Sequence, residues 1–95
     1  MDLTKSLLNA AIDNDLSGVK TALENGADVN ARGNDGGTVL MSVSYGGHTE
    51  IAKMLIENNA DVNAKDNNDW IALKWASQYG HTEIVSLLKK ADAKK

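Results

Sequence analysis

The sequence predicts an all-α fold, a linear stack of three helix-turn-helix repeats joined by β-turn loops. Three observations carry the prediction. Ala27-Asp28-Val29-Asn30-Ala31 recurs 33 residues later as Ala60-Asp61-Val62-Asn63-Ala64. Gly47-His48-Thr49-Glu50-Ile51 recurs at the same offset as Gly80-His81-Thr82-Glu83-Ile84. That offset also aligns a weaker first copy without a gap, placing Leu7, Leu40 and Leu73 in one apolar column, Ala10, Val43 and Ala76 in a second, and Ala22, Leu55 and Leu88 in a third. A fixed period of this size marks supersecondary units that each bury one face against the next. The chain of 95 residues therefore reads as one domain, 1–95, with repeats over about 3–31, 32–64 and 65–95.

Within each repeat the pattern predicts two short helices. The first helices are expected over Thr4–Asp13, Thr38–Tyr45 and Ile71–Tyr79, and the second over Leu16–Glu24, Thr49–Asn58 and Thr82–Lys90. Ile51, Ala52, Leu55 and Ile56 fall at i, i+1, i+4 and i+5, which is one face of a helix. Turn residues support the register. Asn14, Gly47 and Gly80 share a column just past the first helix, Gly26 and Asn59 share one just past the second, and Gly36 and Asp69 share a loop tip. Gly and Asn most readily adopt the left-handed backbone that ends a helix. The ends look like caps. Lys89 stands in the column of Leu23 and Ile56, Asn9 and Asp13 make the first helix more polar, and the KKADAKK tail puts lysines where the last helix dipole favours them.

These residues resemble the ankyrin repeat family along essentially the whole chain. Gly26 to Ala31 matches the family's Gly-Ala-Asp-Val-Asn-Ala loop, and Asn59 replaces only its first Gly in the next copy. Thr38-Val39-Leu40-Met41 stands where the family has Thr-Pro-Leu-His, with Gly47-His48 following. The third copy reads Ile71-Ala72-Leu73-Lys74 and the first Lys5-Ser6-Leu7-Leu8, so this element is eroded. The resemblance then implies that the family's local Thr and His hydrogen bonds are lost, and that the fold survives at a stability toward the low side of the ~5–15 kcal/mol typical of domains.

Composition narrows the function. The formal net charge is −3 and the pI about 5.2, against a nucleic-acid partner or docking on an anionic membrane. No run approaches the roughly 18 apolar residues of a membrane span. The N-terminus lacks the pattern of a secretory signal, so a cytoplasmic setting is expected. Without Cys there are no disulfides or thiolate sites. No nucleophile elbow or phosphate-cradling Gly-Lys-Ser/Thr is present, so neither catalysis nor a cofactor is expected.

Two motifs suggest metals. Asp13, Asp15, Ser17, Gly18 and Glu24 mimic a calcium-binding loop, giving an alternative reading as a calcium-binding protein that uses Asp13–Glu24. Against it, Lys20 stands where an apolar residue is usual, and the same segment aligns with the second helices of the other repeats. His48 and His81 are one repeat apart, a spacing of ~8–10 Å that converges poorly on one ion. Asn30 and Asn63 match the family's loop Asn, which some hydroxylases modify, and the preferred role is a bond to the loop backbone.

In the resembled family the loop tips and first helices line a concave recognition surface. The aromatic residues Tyr45, Trp70, Trp75 and Tyr79 all fall on first helices or the loops before them, although aromatics are only 4% of the chain. With Gln78, Ser42, Asn67, Asn34 and Gly37 they form the expected partner-binding set. Trp and Tyr dominate binding energy because they bury large area with little entropy to lose. Trp70 and Trp75 are the expected anchor pair, and alanine at either should abolish binding while barely moving the unfolding midpoint. The expected partner is another protein, bound by a monomer. A self-associating repeat fragment is a further alternative, because so thin a stack gains stability by pairing.

Overall fold

The first helices of the three repeats line up in one layer and the second helices in another. The structure, a computed structural model, describes residues 3–93. Its helices are α1 (Leu3–Ile12), α2 (Leu16–Glu24), α3 (Val39–Gly46), α4 (Thr49–Glu57), α5 (Ala72–Gln78) and α6 (Thr82–Ala93). Within a repeat α1 packs on α2, α3 on α4 and α5 on α6. Between repeats α1 meets α3 and α3 meets α5, while α2 meets α4 and α4 meets α6. Among the described residues the only extended pairing is an isolated antiparallel bridge, Arg32 with Thr38, at the base of a loop. No helix among the described residues is long and apolar enough to cross a membrane.

The core lies between the two layers. Leu7, Leu40, Val43 and Ala76 enter it from the first helices, and Val19, Ile51, Leu55, Ile84 and Leu88 from the second. Leu73 departs from its column. It is only partly buried, because it borders an open groove with Ile71, Leu88 and Lys89, whereas Leu7 in the other terminal repeat is 0% exposed. Lys89 is exposed, and its column partners Leu23 and Ile56 are partly buried. The last helix runs past the expected Lys90 to Ala93, held by Ala91 packing on the core and by Asn63 Nδ2 donating to Asp92 Oδ1 at 2.9 Å. Lys94 and Lys95 of the expected tail lie outside the described residues.

Both ends of α2 and the starts of α4 and α6 fall where expected, and the other ends, apart from that of α6, differ by a residue or so. Thr38 and Ile71, read as helical, are N-caps with extended backbone, and Asn58 and Tyr79 are C-caps. Thr38 Oγ1 accepts from the Met41 N–H at 3.2 Å, and the Thr38 N–H donates to Met41 Sδ at 3.4 Å. The expected loss of the Thr and His bonds is thus corrected for the second repeat, where Met41 serves as the acceptor. Ile71 makes no such side-chain bond.

Backbone hydrogen bonds repeat with the sequence. The Asp15, His48 and His81 N–H groups donate to the carbonyls of Ala10, Val43 and Ala76 at 2.8, 3.0 and 2.9 Å. Each bond spans a left-handed residue: Asn14 (φ 55°), Gly47 (φ 75°) and Gly80 (φ 74°). Gly26 and Asn59 (φ 100° and 69°) and Gly36 and Asp69 (φ 77° and 63°) repeat the pattern in the other two columns. The swaps therefore conserve a backbone conformation.

Two of these glycines separate backbone strain from packing. A Cβ on Gly80 would meet nothing within 4 Å, whereas one on Gly47 would lie 2.6 Å from the His81 ring. Gly80→Ala is expected to cost about 1–2 kcal/mol for the left-handed backbone alone. Gly47→Ala should cost clearly more, because His81 must also leave its site between repeats. Urea denaturation of the two variants side by side measures the difference.

Candidate functional site

The loop tips project beside the first helices because each begins and ends on a hydrogen-bonded turn. The Gly33 N–H donates to Gly37 O, and the Asp66 N–H to Trp70 O, both at 2.9 Å. Successive tips are tied together. Arg32 Nη1 donates to Gly36 O at 2.9 Å in its own loop and to Lys65 O at 2.6 Å in the next, and the Asn67 N–H donates to Asp35 O at 3.2 Å. His81 Nε2 lies 3.0 Å from Tyr45 O, and Asn30 Oδ1 accepts from the Asp61 N–H at 2.7 Å. Both contacts brace one repeat on the next, so Asn30 has the structural role expected of it. These ties fix the spacing of the face between tips and first helices.

A cavity of about 410 Å³ opens on that face, lined by Asp35, Gly37, Met41, Ser42, Tyr45, Asp66, Trp75 and Tyr79. Tyr45 of α3 and Trp75 of α5 meet edge to face at 5.8 Å, Tyr45 and Tyr79 do so at 4.7 Å, and Trp75 and Tyr79 lie nearly parallel at 6.1 Å. Tyr45 and Tyr79 remain 54% and 50% exposed. Two large rings, half in solvent, thus stand over a partly buried Trp.

The structure brings together Gly37, Ser42, Tyr45, Trp75 and Tyr79 from the sequence-derived set. Asn34, Asn67 and Gln78 are exposed nearby without lining the cavity. Trp70 packs behind, its ring 4.5 Å from that of Trp75, with Lys74 Nζ 4.6 Å from its centroid. Trp75 packs against the core, and its Nε1 donates to Asp66 Oδ2 at 3.2 Å. Replacing Trp75 therefore removes packing along with ring surface, which corrects the expectation that it could be truncated without cost to stability. Sequence reasoning missed Asp35, Asp66 and Met41. It also missed Ile12, 62% exposed, which stands 33 residues before Tyr45 in the same column.

Asp66 organises this corner. Its Oδ1 accepts from the Asn68 N–H at 2.8 Å and the Trp70 N–H at 3.0 Å. Burial raises the carboxyl's pKa, but the bonds from the Trp70 and Asn68 N–H groups and the Trp75 indole outweigh it and hold the pKa below the usual 3.8. A depressed folded pKa contributes stability above the unfolded value, lost as pH falls through the folded one. Asp66→Ala should therefore be less stable than the parent at neutral pH, and the gap should close as pH falls below about 4. Urea denaturation as a function of pH reads this out.

The calcium reading of Asp13–Glu24 is corrected by the backbone. Asp15 caps α2, its Oδ1 accepting from the Gly18 N–H at 2.9 Å. Asp15 caps the start and Glu24 is the last residue of a helix of 9 residues, roughly 13 Å end to end at ~1.5 Å per residue. Calcium draws all its ligands to ~2.3–2.6 Å. Among the described residues no group of three or more His, Asp or Glu could hold a metal ion.

The model of a family described as ankyrin repeats in three copies matches residues 7–95. No curated protein matches the chain significantly.

Proposed function

The chain belongs to the ankyrin repeat family, and from that premise we propose that it binds a partner protein through the face of loop tips and first helices, without catalysis. Ankyrin repeats are in general protein–protein interaction modules. The observation that carries the reading is the aromatic group Tyr45, Trp75 and Tyr79. It spans two repeats, borders the 410 Å³ cavity, and leaves half of each Tyr in solvent. Exposed rings of this kind, held by their neighbours, lose little freedom when a partner covers them. Ile12 extends the same column into the first repeat. Ser42, Gly37, Asn34, Asn67 and Gln78 supply a polar rim, the arrangement usual around a buried centre.

An affinity pull-down with quantitative mass spectrometry, comparing the parent with the Tyr45→Ala/Tyr79→Ala variant, tests the proposal. Proteins retained by the parent and lost by the variant are the expected result. Retention of the same proteins by both would place recognition elsewhere.

A further inference from the structure

We infer that the partner presents an arginine side chain, whose guanidinium enters the cavity between the Asp35 and Asp66 carboxylates and the rings of Tyr45, Trp75 and Tyr79. This rests on the interaction reading above and specifies the chemistry the partner must bring.

The walls differ in character. Asp35 and Asp66 line the cavity from the loops, and Tyr45, Trp75 and Tyr79 from the helices and their ends. Asp35 Oδ1 accepts from the Gly37 N–H at 2.9 Å, so only part of the acceptor capacity of its carboxylate is used. Asp66 accepts three bonds of the roughly four its two oxygens can take. A purely apolar partner would strip water from both carboxylates and return nothing, which is costly. An acidic partner would be repelled. A cation satisfies the carboxylates and is attracted by the ring faces.

Arginine fits better than lysine. Its guanidinium is planar, weakly hydrated, stacks on rings and forks onto carboxylates, whereas an ammonium is a compact, strongly hydrated charge. Among the described residues the chain's own cations do not line the cavity. The guanidinium of Arg32 is directed at Gly36 O and Lys65 O. Lys74 lies over Trp70, outside the cavity lining. That contact also shows a ring on this corner holding a cation.

The probe is N-acetyl-arginine-N-methylamide, titrated into the ¹⁵N-labelled full chain and compared with its lysine and citrulline counterparts. Citrulline keeps the shape of arginine and removes the charge. Arginine should shift the Trp75 indole signal and the Tyr45 and Tyr79 backbone amides. Citrulline should bind roughly ten-fold more weakly, and Asp35→Asn should weaken arginine roughly five-fold, as expected for loss of a desolvated cation contact. Equal shifts from arginine and citrulline, no shift with arginine, or shifts centred elsewhere would overturn the inference. A peptide-display selection on the same chain separates it from the interaction reading. Arginine-enriched binders that protect the three rings support both. Arginine-free binders on the same rings overturn the arginine and leave the interaction face standing. Binders that bypass the rings overturn both.

Discussion

Leu40→Ala is expected to lower stability by about 3–5 kcal/mol, the range for a buried Leu whose cavity cannot collapse. Leu40 is 1% exposed in the central repeat, with a neighbour on each side. Leu73, 33 residues on in the same column, is only partly buried, so Leu73→Ala should cost about half as much or less. Urea denaturation of both variants measures the contrast. A 95-residue chain at ~0.05–0.15 kcal/mol per residue has a margin near 5–14 kcal/mol. Loss of Leu40 takes a large part of that. Equal losses at the two positions would mean that Leu73 is as fully enclosed as Leu40.

The second large effect concerns binding. Tyr45→Ala with Tyr79→Ala should weaken partner binding at least about 100-fold, since truncating a single central aromatic anchor commonly costs 2 kcal/mol or more. The cost to stability should be small, about 1–2 kcal/mol, reflecting the ring contacts each makes with the other and with Trp75. Titration of the selected partner, with thermal unfolding of the same samples, separates the two quantities. Binding that survives while unfolding drops sharply would turn the rings into packing elements.

Much of the fold was legible because it rests on backbone demands that recur in the sequence. The left-handed residues Asn14, Gly47 and Gly80, with Gly26 and Asn59, announce themselves by the few residue types that tolerate such a backbone. Burial was legible at Leu7 and Leu40 and misleading at Leu73, which borders an open groove, because one alignment column can hold different environments. Helix ends are less legible, because a cap such as Thr38 or Ile71 belongs to the same periodic pattern as the helical residues that follow it.

The site was legible in part. Tyr45, Trp75 and Tyr79 stood out as scarce residue types on the first helices. Trp70 did too, yet Lys74 and Trp75 already cover it, a tertiary fact that column position does not carry. Asp35 and Asp66 escaped notice because Asp in a turn usually serves its own backbone, and both do so here. Only the fold shows that both residues also line the cavity. Met41 was hidden by the family pattern, which implied a lost His and not a sulfur acceptor. Ile12 could have been found by extending the Tyr45 column back one repeat.

Hydrogen–deuterium exchange of the chain, alone and with a selected partner bound, tests the central claim most directly. Exchange should slow in loop tips 33–37 and 66–70 and along α3 and α5, with α2, α4 and α6 unchanged. Protection confined to α4 and α6, with the loop tips exchanging as in the free chain, would contradict it.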